Sequence, residues 1–235
     1  MRFVKGQVIW VDLDRNCVGS EQKGERPSVV VQNNFGNRAS NTTIIVPLTS
    51  KFKTDIPTHV SISSYDLGEG KKDSIALCEQ VRVIDKDRIT HVERTILSDD
   101  VMKEIENALL ISFGVGSPRT PQVVWVELNG MGNEQKGNRP ALVIQNDTGN
   151  KHSSTLIVAP LQLKKKKRLP THVEIPGNLI SPTFKDSIAL MEQVRVVDKE
   201  RVIGVERIID VESNAFLSEG IFKSIEEALL VSFGI

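Results

Sequence analysis

The chain has 235 residues, room for one large domain or two small ones, and its 30 Lys and Arg balance 30 Asp and Glu to a formal net charge of zero. No global field draws in nucleic acid or a membrane surface, so any nucleic-acid contact has to come from a local patch. No apolar run approaches membrane-spanning length, Met1-Arg2-Phe3-Val4-Lys5-Gly6 lacks a signal-peptide apolar region, and Cys17 and Cys78 make no metal spacing; a cytoplasmic protein without disulfide, catalytic thiol, bound metal or other cofactor is expected.

In chain order, residues 7–13, 27–32, 42–48, 59–62 and 75–84 are runs rich in Val and Ile, separated by Gly, Asn, Pro and Ser, and read as strands. Between the first two lies the polar, glycine-bounded stretch Gly19-Ser20-Glu21-Gln22-Lys23-Gly24-Glu25-Arg26-Pro27, which delivers an arginine to the mouth of an apolar strand. Ser98 is a suitable N-cap before Asp99 and Asp100, whose charges suit a helix N-terminus. Val101, Ile105, Ala108, Leu109 and Ser112 then recur at helical spacing, and Gly114 stands where a C-terminal glycine cap belongs. Five strands followed by one helix predict a mainly β, α+β unit, a small partly closed barrel or curled sheet with a helix against it.

The chain then repeats itself. Gly132-Asn133-Glu134-Gln135-Lys136-Gly137-Asn138-Arg139-Pro140 restates the arginine loop, Pro170-Thr171-His172-Val173 restates Pro57-Thr58-His59-Val60, and Glu192-Gln193-Val194-Arg195 restates Glu79-Gln80-Val81-Arg82. From Gly19 to Arg94 the copies align without a gap; copy two has a shorter first loop and an extra stretch around Asp210-Val211-Glu212-Ser213-Asn214-Ala215-Phe216. Cys78 falls opposite Met191 and reads as a small core hydrophobe. Val115-Gly116-Ser117-Pro118-Arg119-Thr120-Pro121 cannot continue a helix and marks a linker, so the expected domains are 1–114 and 122–235 joined by 115–121. Extended, that linker spans roughly 23–25 Å, enough for the two copies to pair within one chain.

The quoted pieces together resemble the MazF/PemK family of bacterial toxin ribonucleases: Gly-Ser-Glu-Gln-x-Gly-x-Arg-Pro at 19–27, Val-x-Gln-Asn at 30–33, Gly36-Asn37, Pro57-Thr58-His59-Val60 and Glu79-Gln80-Val81-Arg82, with the match running through both copies almost end to end. The resemblance implies two tandem SH3-like barrels of the MazF/CcdB type, dimer formation, metal-independent cleavage of single-stranded RNA at short motifs, and an antitoxin that blocks the RNA groove. It places the family's catalytic arginine on Arg26 and its catalytic threonine on Thr49. In copy two the arginine is kept as Arg139, while the threonine position holds Gln162 and the neighbouring Ser50 becomes Leu163. One competent centre, in copy one, is therefore expected.

Such cleavage uses the adjacent 2′-hydroxyl as nucleophile. A guanidinium suits the developing phosphate charge, being permanently cationic and fork-shaped, and for the same reason it is a poor base. Arg26 is thus assigned to transition-state stabilisation, with proton donation to the leaving oxygen as a further role, and Thr49 to a short hydroxyl hydrogen bond on the same phosphate. Without the resemblance, Arg26 reads as a strand-end arginine and Thr49 as a turn residue.

Glu79-Gln80 and Glu192-Gln193 have two readings: the solvent face of an edge strand, or base-edge readout of single-stranded RNA, which the resemblance favours. Ser20, Asn33 and Asn146 are weaker candidates of the second kind. Lys164-Lys165-Lys166-Lys167-Arg168 is the one basic run, either a solvated loop or a tracker of phosphates, with Lys165, Lys166 and Lys167 at its centre. His59 and His172 are equivalent, His91 falls opposite Gly204 and His152 opposite Ala39, so no catalytic histidine pair is set up within one copy.

Two other functions compete. Gln162 favours a non-catalytic module that binds RNA or titrates an antitoxin. The ending Phe233-Gly234-Ile235 is similar to that of gyrase poisons of the CcdB type, but Phe113-Gly114-Val115 repeats it mid-chain, where helix capping suffices. Whether the copies pair intramolecularly or two chains pair as a homodimer stays open at this level.

Overall fold

The computed structural model describes residues 2–14, 17–51, 53–117, 122–163, 168–207 and 215–235, with no side chains described at 207 and 215–219. Lys165, Lys166 and Lys167, the second half of the expected linker and most of the extra stretch of copy two lie outside the described residues.

The first half contains β1 (Gln7–Asp12), β2 (Glu25–Val30), α1 (Asn34–Ala39), β3 (Thr42–Thr49), β4 (His59–Ile62), α2 (Ser64–Leu67), β5 (Ser74–Leu77), β6 (Arg82–Asp85), β7 (Ile89–Ile96) and α3 (Asp99–Ser112). The second repeats it with β8 (Gln122–Leu128), β9 (Gly137–Val143), α4 (Asp147–His152), β10 (Thr155–Leu163), β11 (His172–Ile175), β12 (Ser187–Leu190), β13 (Arg195–Asp198), β14 (Val202–Arg207) and α5 (Ala215–Phe233). Among the described residues no helix is long and apolar enough to cross a membrane.

The curl of each half comes from one bent strand. All eight residues of β3 are buried. Thr42 to Ile45 pair with β6, while Leu48 and Thr49 pair with β5. On its other edge Ile45 to Pro47 pair with β2. A strand that changes partner along its length folds the sheet over on itself, and Thr49 is its last residue, at the rim. β10 does the same, ending past Gln162.

The run 75–84 is not one strand. It breaks into β5 and β6 at a 3₁₀ turn, Cys78–Gln80, where the Cys78 N–H bonds to the Thr58 carbonyl at 3.0 Å and the Val81 N–H to the Cys78 carbonyl at 3.3 Å. The break lets the two pieces pair with opposite ends of β3. Continuous apolar burial on both sides of the turn hides it from a reading by periodicity. Three further elements of the first half lie where no element was expected, among them α2, capped by Ser63, whose side chain accepts from the Asp66 N–H at 3.2 Å. α1 is started by Asn33, whose side chain accepts from the Gly36 N–H at 2.7 Å; β7 is an edge strand, its outward residues polar enough to resemble a loop. The terminal helix follows expectation: Ser98 caps it, and Gly114 takes φ +64° directly after it.

The halves share one sheet. β6 and β13 meet antiparallel with Arg82 opposite Arg195, joined by Val83 N–H to Val194 carbonyl and Val196 N–H to Val81 carbonyl, both 2.9 Å. The resulting strand order is β14-β8-β9-β10-β13-β6-β3-β2-β1-β7. The main apolar core is likewise continuous across both halves, from Val46 and Leu109 to Ile157 and Leu229, and the rings of Phe113 and Phe233 lie 5.3 Å apart at its centre. Smaller cores around Ile9 and Ile45, and around Val124 and Val158, back the outer face of each sheet.

Candidate active site

The repeated arginine loop of each copy divides into two working parts. Its front end docks on the other half. Glu21 is buried and its carboxylate takes Arg201 Nε at 2.6 Å and the Asp198 backbone N–H at 3.0 Å. Ser20 gives its backbone N–H to Asp198 Oδ2 at 2.7 Å. With the halves exchanged, Glu134 takes Arg88 Nε at 2.6 Å and the Asp85 N–H at 2.9 Å, and Asn133 gives its N–H to Asp85 Oδ2 at 2.7 Å. The glycines before them approach so closely that a Cβ on Gly19 would fall on the Asp198 carboxylate, and one on Gly132 on that of Asp85; both also have positive φ, +51° and +55°.

The back end of the first loop faces a groove of about 560 Å³. Arg26 and Thr49, 23 residues apart in sequence, both line it, with Lys23, Glu25, Lys51, Lys71 and Lys72 around them. The guanidinium of Arg26 is oriented by an Nε–H bond to the Lys23 carbonyl, a tether within its own loop. No carboxylate forms an ion pair with it among the described residues, so its remaining donors face the groove uncommitted. Thr49 is buried to 5% exposure and its hydroxyl accepts from the Lys51 N–H at 3.2 Å, leaving its proton directed elsewhere. With Lys71 paired to Glu93, four cations (Lys23, Arg26, Lys51 and Lys72) against Glu25 make the groove a place for a polyanion.

One wall is further built by Trp10, whose Nε1–H donates to Glu93 at 2.8 Å. Lys71 bonds the same carboxylate and lies 5.7 Å over the Trp10 ring. Lys71, then Trp10, hold the Glu93 carboxyl below its ordinary pKa. Lys71, Lys72, Lys23 and Trp10 are groove residues that reading by motif passed over; scattered single lysines in turns carry no signal until folding gathers them.

The second half keeps the frame and changes the contents. Arg139 Nε donates to the Lys136 carbonyl at 2.7 Å, as Arg26 does to Lys23. Gln162 stands opposite Ile188 where Thr49 stands opposite Ile75. Lys71 is replaced by Phe184, which packs against the core, and Ser50 by Leu163, which is exposed.

Other candidates are placed away from the groove's charged floor. Gln80, on the 3₁₀ turn, is buried at 6% exposure and its amide oxygen accepts from the Gln22 N–H at 3.3 Å; Gln193 does the same for Gln135 at 3.3 Å. These amides are loop anchors rather than edge-strand residues. Glu79 and Glu192 are half-buried partners of His59 and His172, at 3.2 and 3.0 Å. Asn33 caps α1 and donates to the Val231 carbonyl of α5 at 2.6 Å; Asn146 caps α4 and donates to the Ile111 carbonyl of α3 at 2.7 Å. The asparagines thus lock each terminal helix to the opposite half. Cys78 is buried, and burial, then Glu79, push its thiol well above the ordinary value, as befits a core residue. Among the described residues no group of three or more His, Cys, Asp and Glu side chains is set up to hold a metal ion.

A curled, helix-backed barrel whose rim carries an arginine and a hydroxyl in a cationic groove, present in two linked copies, defines a tandem β-barrel protein with an anion-holding cleft. The family model described as "PemK-like, MazF-like toxin of type II toxin-antitoxin system" matches residues 4–113 and again 119–233. The chain belongs to this family, and its fold is a pair of tandem SH3-like barrels. It is similar to the Endoribonuclease MazF of Staphylococcus saprophyticus, 44% identical over 119 residues covering 49% of this chain and 95% of that protein. It is similar also to Endoribonuclease EndoA of Bacillus subtilis, 43% identical over 112 residues covering 47% and 94%. Among solved structures it resembles an endoribonuclease in complex with its cognate antitoxin from Mycobacterial species, with TM-score 0.41, 26% identity and coverage of 50% of this chain and 100% of that one. A further likeness is MazF from Deinococcus radiodurans, with TM-score 0.41, 22% identity and coverage of 47% and 94%. Each relative accounts for about half of this chain.

Proposed function

We propose that the chain is an endoribonuclease toxin of a type II toxin–antitoxin system, cleaving single-stranded RNA at short motifs without a metal ion. The observation that carries this reading is the convergence of Arg26 and Thr49 on one cationic groove. The 2′-hydroxyl gives up its proton to solvent and its oxygen attacks phosphorus; the P–O2′ bond forms as the P–O5′ bond breaks, and the leaving 5′-oxygen takes a proton from Arg26, which solvent restores, leaving a 2′,3′-cyclic phosphate and a free 5′-hydroxyl. Arg26, held by its Nε tether, presents its remaining N–H groups to the non-bridging oxygens as their charge grows, and the Thr49 hydroxyl donates to the same phosphate. Lys23, Lys51 and Lys72 hold flanking phosphates without reading sequence.

The domains are 1–114 and 122–235 with 115–121 between them, and they work as an intramolecular pseudo-dimer with a single competent site. The paired Glu21–Arg201 and Arg88–Glu134 contacts and the common core support pairing within one chain. Gln162 carries its amide farther out than a threonine hydroxyl, and misplacement on the order of 1 Å costs about two orders of magnitude in rate; Phe184 and Leu163 add apolar surface where the first groove has Lys71 and Ser50. Glu79 and Glu192 are further RNA contacts in this reading, and the basic run 164–168, of which only Arg168 is among the described residues, adds phosphate contacts. A cytoplasmic location and a cognate antitoxin partner belong to the same reading.

Incubation of the purified chain with defined RNAs in EDTA is the test. Cleavage to products with 2′,3′-cyclic phosphate ends is expected, and failure to cut any of a varied set of RNAs would favour a binding module instead. Light scattering at low concentration is expected to return the mass of one chain; a two-chain mass would argue for pairing between chains.

A further inference from the structure

His59 and His172 occupy equivalent positions, at the start of β4 and of β11, and each sets Nε2 beside a carboxylate: 3.2 Å from Glu79 Oε1 in one half, 3.0 Å from Glu192 Oε1 in the other. The opposite ring nitrogens face opposite chemistry. His59 Nδ1 lies 2.8 Å from the Thr54 carbonyl oxygen, whereas the Leu169 backbone N–H points at His172 Nδ1 from 3.2 Å. A carbonyl and a carboxylate only accept, and a backbone N–H only donates. Both contacts of His59 are therefore satisfied together only by an imidazolium. Those of His172 require a neutral ring protonated on Nε2.

Thr54 belongs to the segment that leaves the groove. Thr49, Ser50 and Lys51 line the groove, and the chain reaches β4 ten residues after Thr49. Besides the ring contact, the segment's far end is held by the His59 N–H on the Ile56 carbonyl at 2.9 Å. We propose that His59 is a positioning residue for the first groove: as an imidazolium it staples residues 53–57 to the barrel through the Thr54 carbonyl, so that engagement of RNA by Ser50 and Lys51 weakens when His59 loses its proton, while neutral His172 holds its own segment by the reverse hydrogen bond. The inference rests on the reading of that groove as the RNA cleft.

The groups around His59 fit this role. Glu79 reaches it from the 3₁₀ turn and also takes the Thr58 hydroxyl at 3.3 Å. Lys53 acts on it from the segment itself, Leu77 of β5 stands opposite it, and α3 packs on β4 with an apolar face. The Glu79 hydrogen bond, against burial, raises the His59 pKa above its ordinary value. Stapling is accordingly complete below the unfolded-chain value, about 6.5, and is lost as pH rises through the higher folded value. On deprotonation the carboxylate keeps the remaining proton at Nε2, and the bare Nδ1 then meets the Thr54 oxygen lone pair to lone pair.

The test uses the full chain, with imidazole nitrogen NMR, amide exchange of residues 53–56 and RNA cleavage followed from pH 5.5 to 8.5. Wild type is expected to show both His59 nitrogens protonated at pH 6, and His172, when neutral, as the tautomer protonated on Nε2. As His59 titrates, exchange of 53–56 and the KM for RNA should rise together, KM by about threefold to tenfold for one net hydrogen bond, with kcat little changed. His59→Asn, whose amide reaches where Nδ1 does, is expected to keep KM low and flat across this range. His59→Gln, reaching where Nε2 does, should leave it high throughout. A His59 ring neutral at pH 6, or variants that titrate as wild type does, would overturn the proposal. If the ring and the exchange behave as stated but no RNA is cut, the stapling stands and the cleavage reading falls.

Discussion

Arg82 and Arg195 stand opposite one another where β6 meets β13, both almost wholly buried at 0% and 1% exposure. Two like charges at the seam of a protein are tolerable only if anions surround them, and Glu21 and Glu134 enter from the two arginine loops to supply that charge. Glu134 lies 3.5 Å from Arg195 and 2.6 Å from Arg88. Burial, then the facing Arg82, push the Arg195 guanidinium down to about 10. The seam thus sets buried charges of each half against those of the other, with Arg82 Nε and Arg195 Nε left without a hydrogen-bond partner among the described residues.

Neutralising one anion of this set leaves buried arginines uncompensated. Glu134→Gln and Glu21→Gln are each expected to cost about 3–5 kcal/mol, the usual range for breaking a buried ion pair by removing one partner. Denaturant unfolding followed by Trp fluorescence measures it; an unchanged midpoint for both variants would contradict the charge set described here.

Gly19 and Gly132 carry the seam's closest approaches. Gly19→Ala and Gly132→Ala each place a methyl against a carboxylate at a backbone angle that disfavours side chains. A lowered melting temperature is expected for both, with Gly24→Ala milder because its Cβ meets only the Asp14 carboxylate at 4.0 Å.

The two arginines of the loops should separate by activity. Arg26→Ala is expected to abolish cleavage to within a small residue, about 100-fold or more, while Arg139→Ala leaves the rate near wild type. Thr49→Gln, which copies the second half into the first, should lower kcat by about two orders of magnitude. Equal losses from Arg26→Ala and Arg139→Ala would remove the asymmetry between the copies.

Asp85 ties acid stability to the seam. Burial raises its pKa, but the N–H groups of Asp87 and Asn133, the Asn133 amide and Arg88 outweigh this and hold it below the ordinary value. Its contribution is present above the unfolded-chain pKa, about 3.9, and is lost as pH falls through the lower folded value. Asp85→Asn should therefore flatten the fall in stability between about pH 4 and pH 2, read by thermal melts across that range.

Much of this protein was legible from residues in a row. The duplication, the strand runs 7–13, 27–32, 42–48 and 59–62, the Ser98 cap and the family motifs are local patterns, and local sterics and periodicity produce them. Arg26, Thr49 and the substitution at Gln162 could be located because a motif keeps its spacing along the chain. What folding alone decided is which side of each motif does what. Glu21 and Ser20, a few residues from Arg26, turn to the opposite half, Gln80 turns inward to hold the loop, and Asn33 and Asn146 bind the helices of the other copy. The ring nitrogens of the equivalent His59 and His172 meet different groups, a carbonyl at one and an N–H at the other. Such contacts join residues far apart in sequence, and no spacing records whether a donor or an acceptor will meet them.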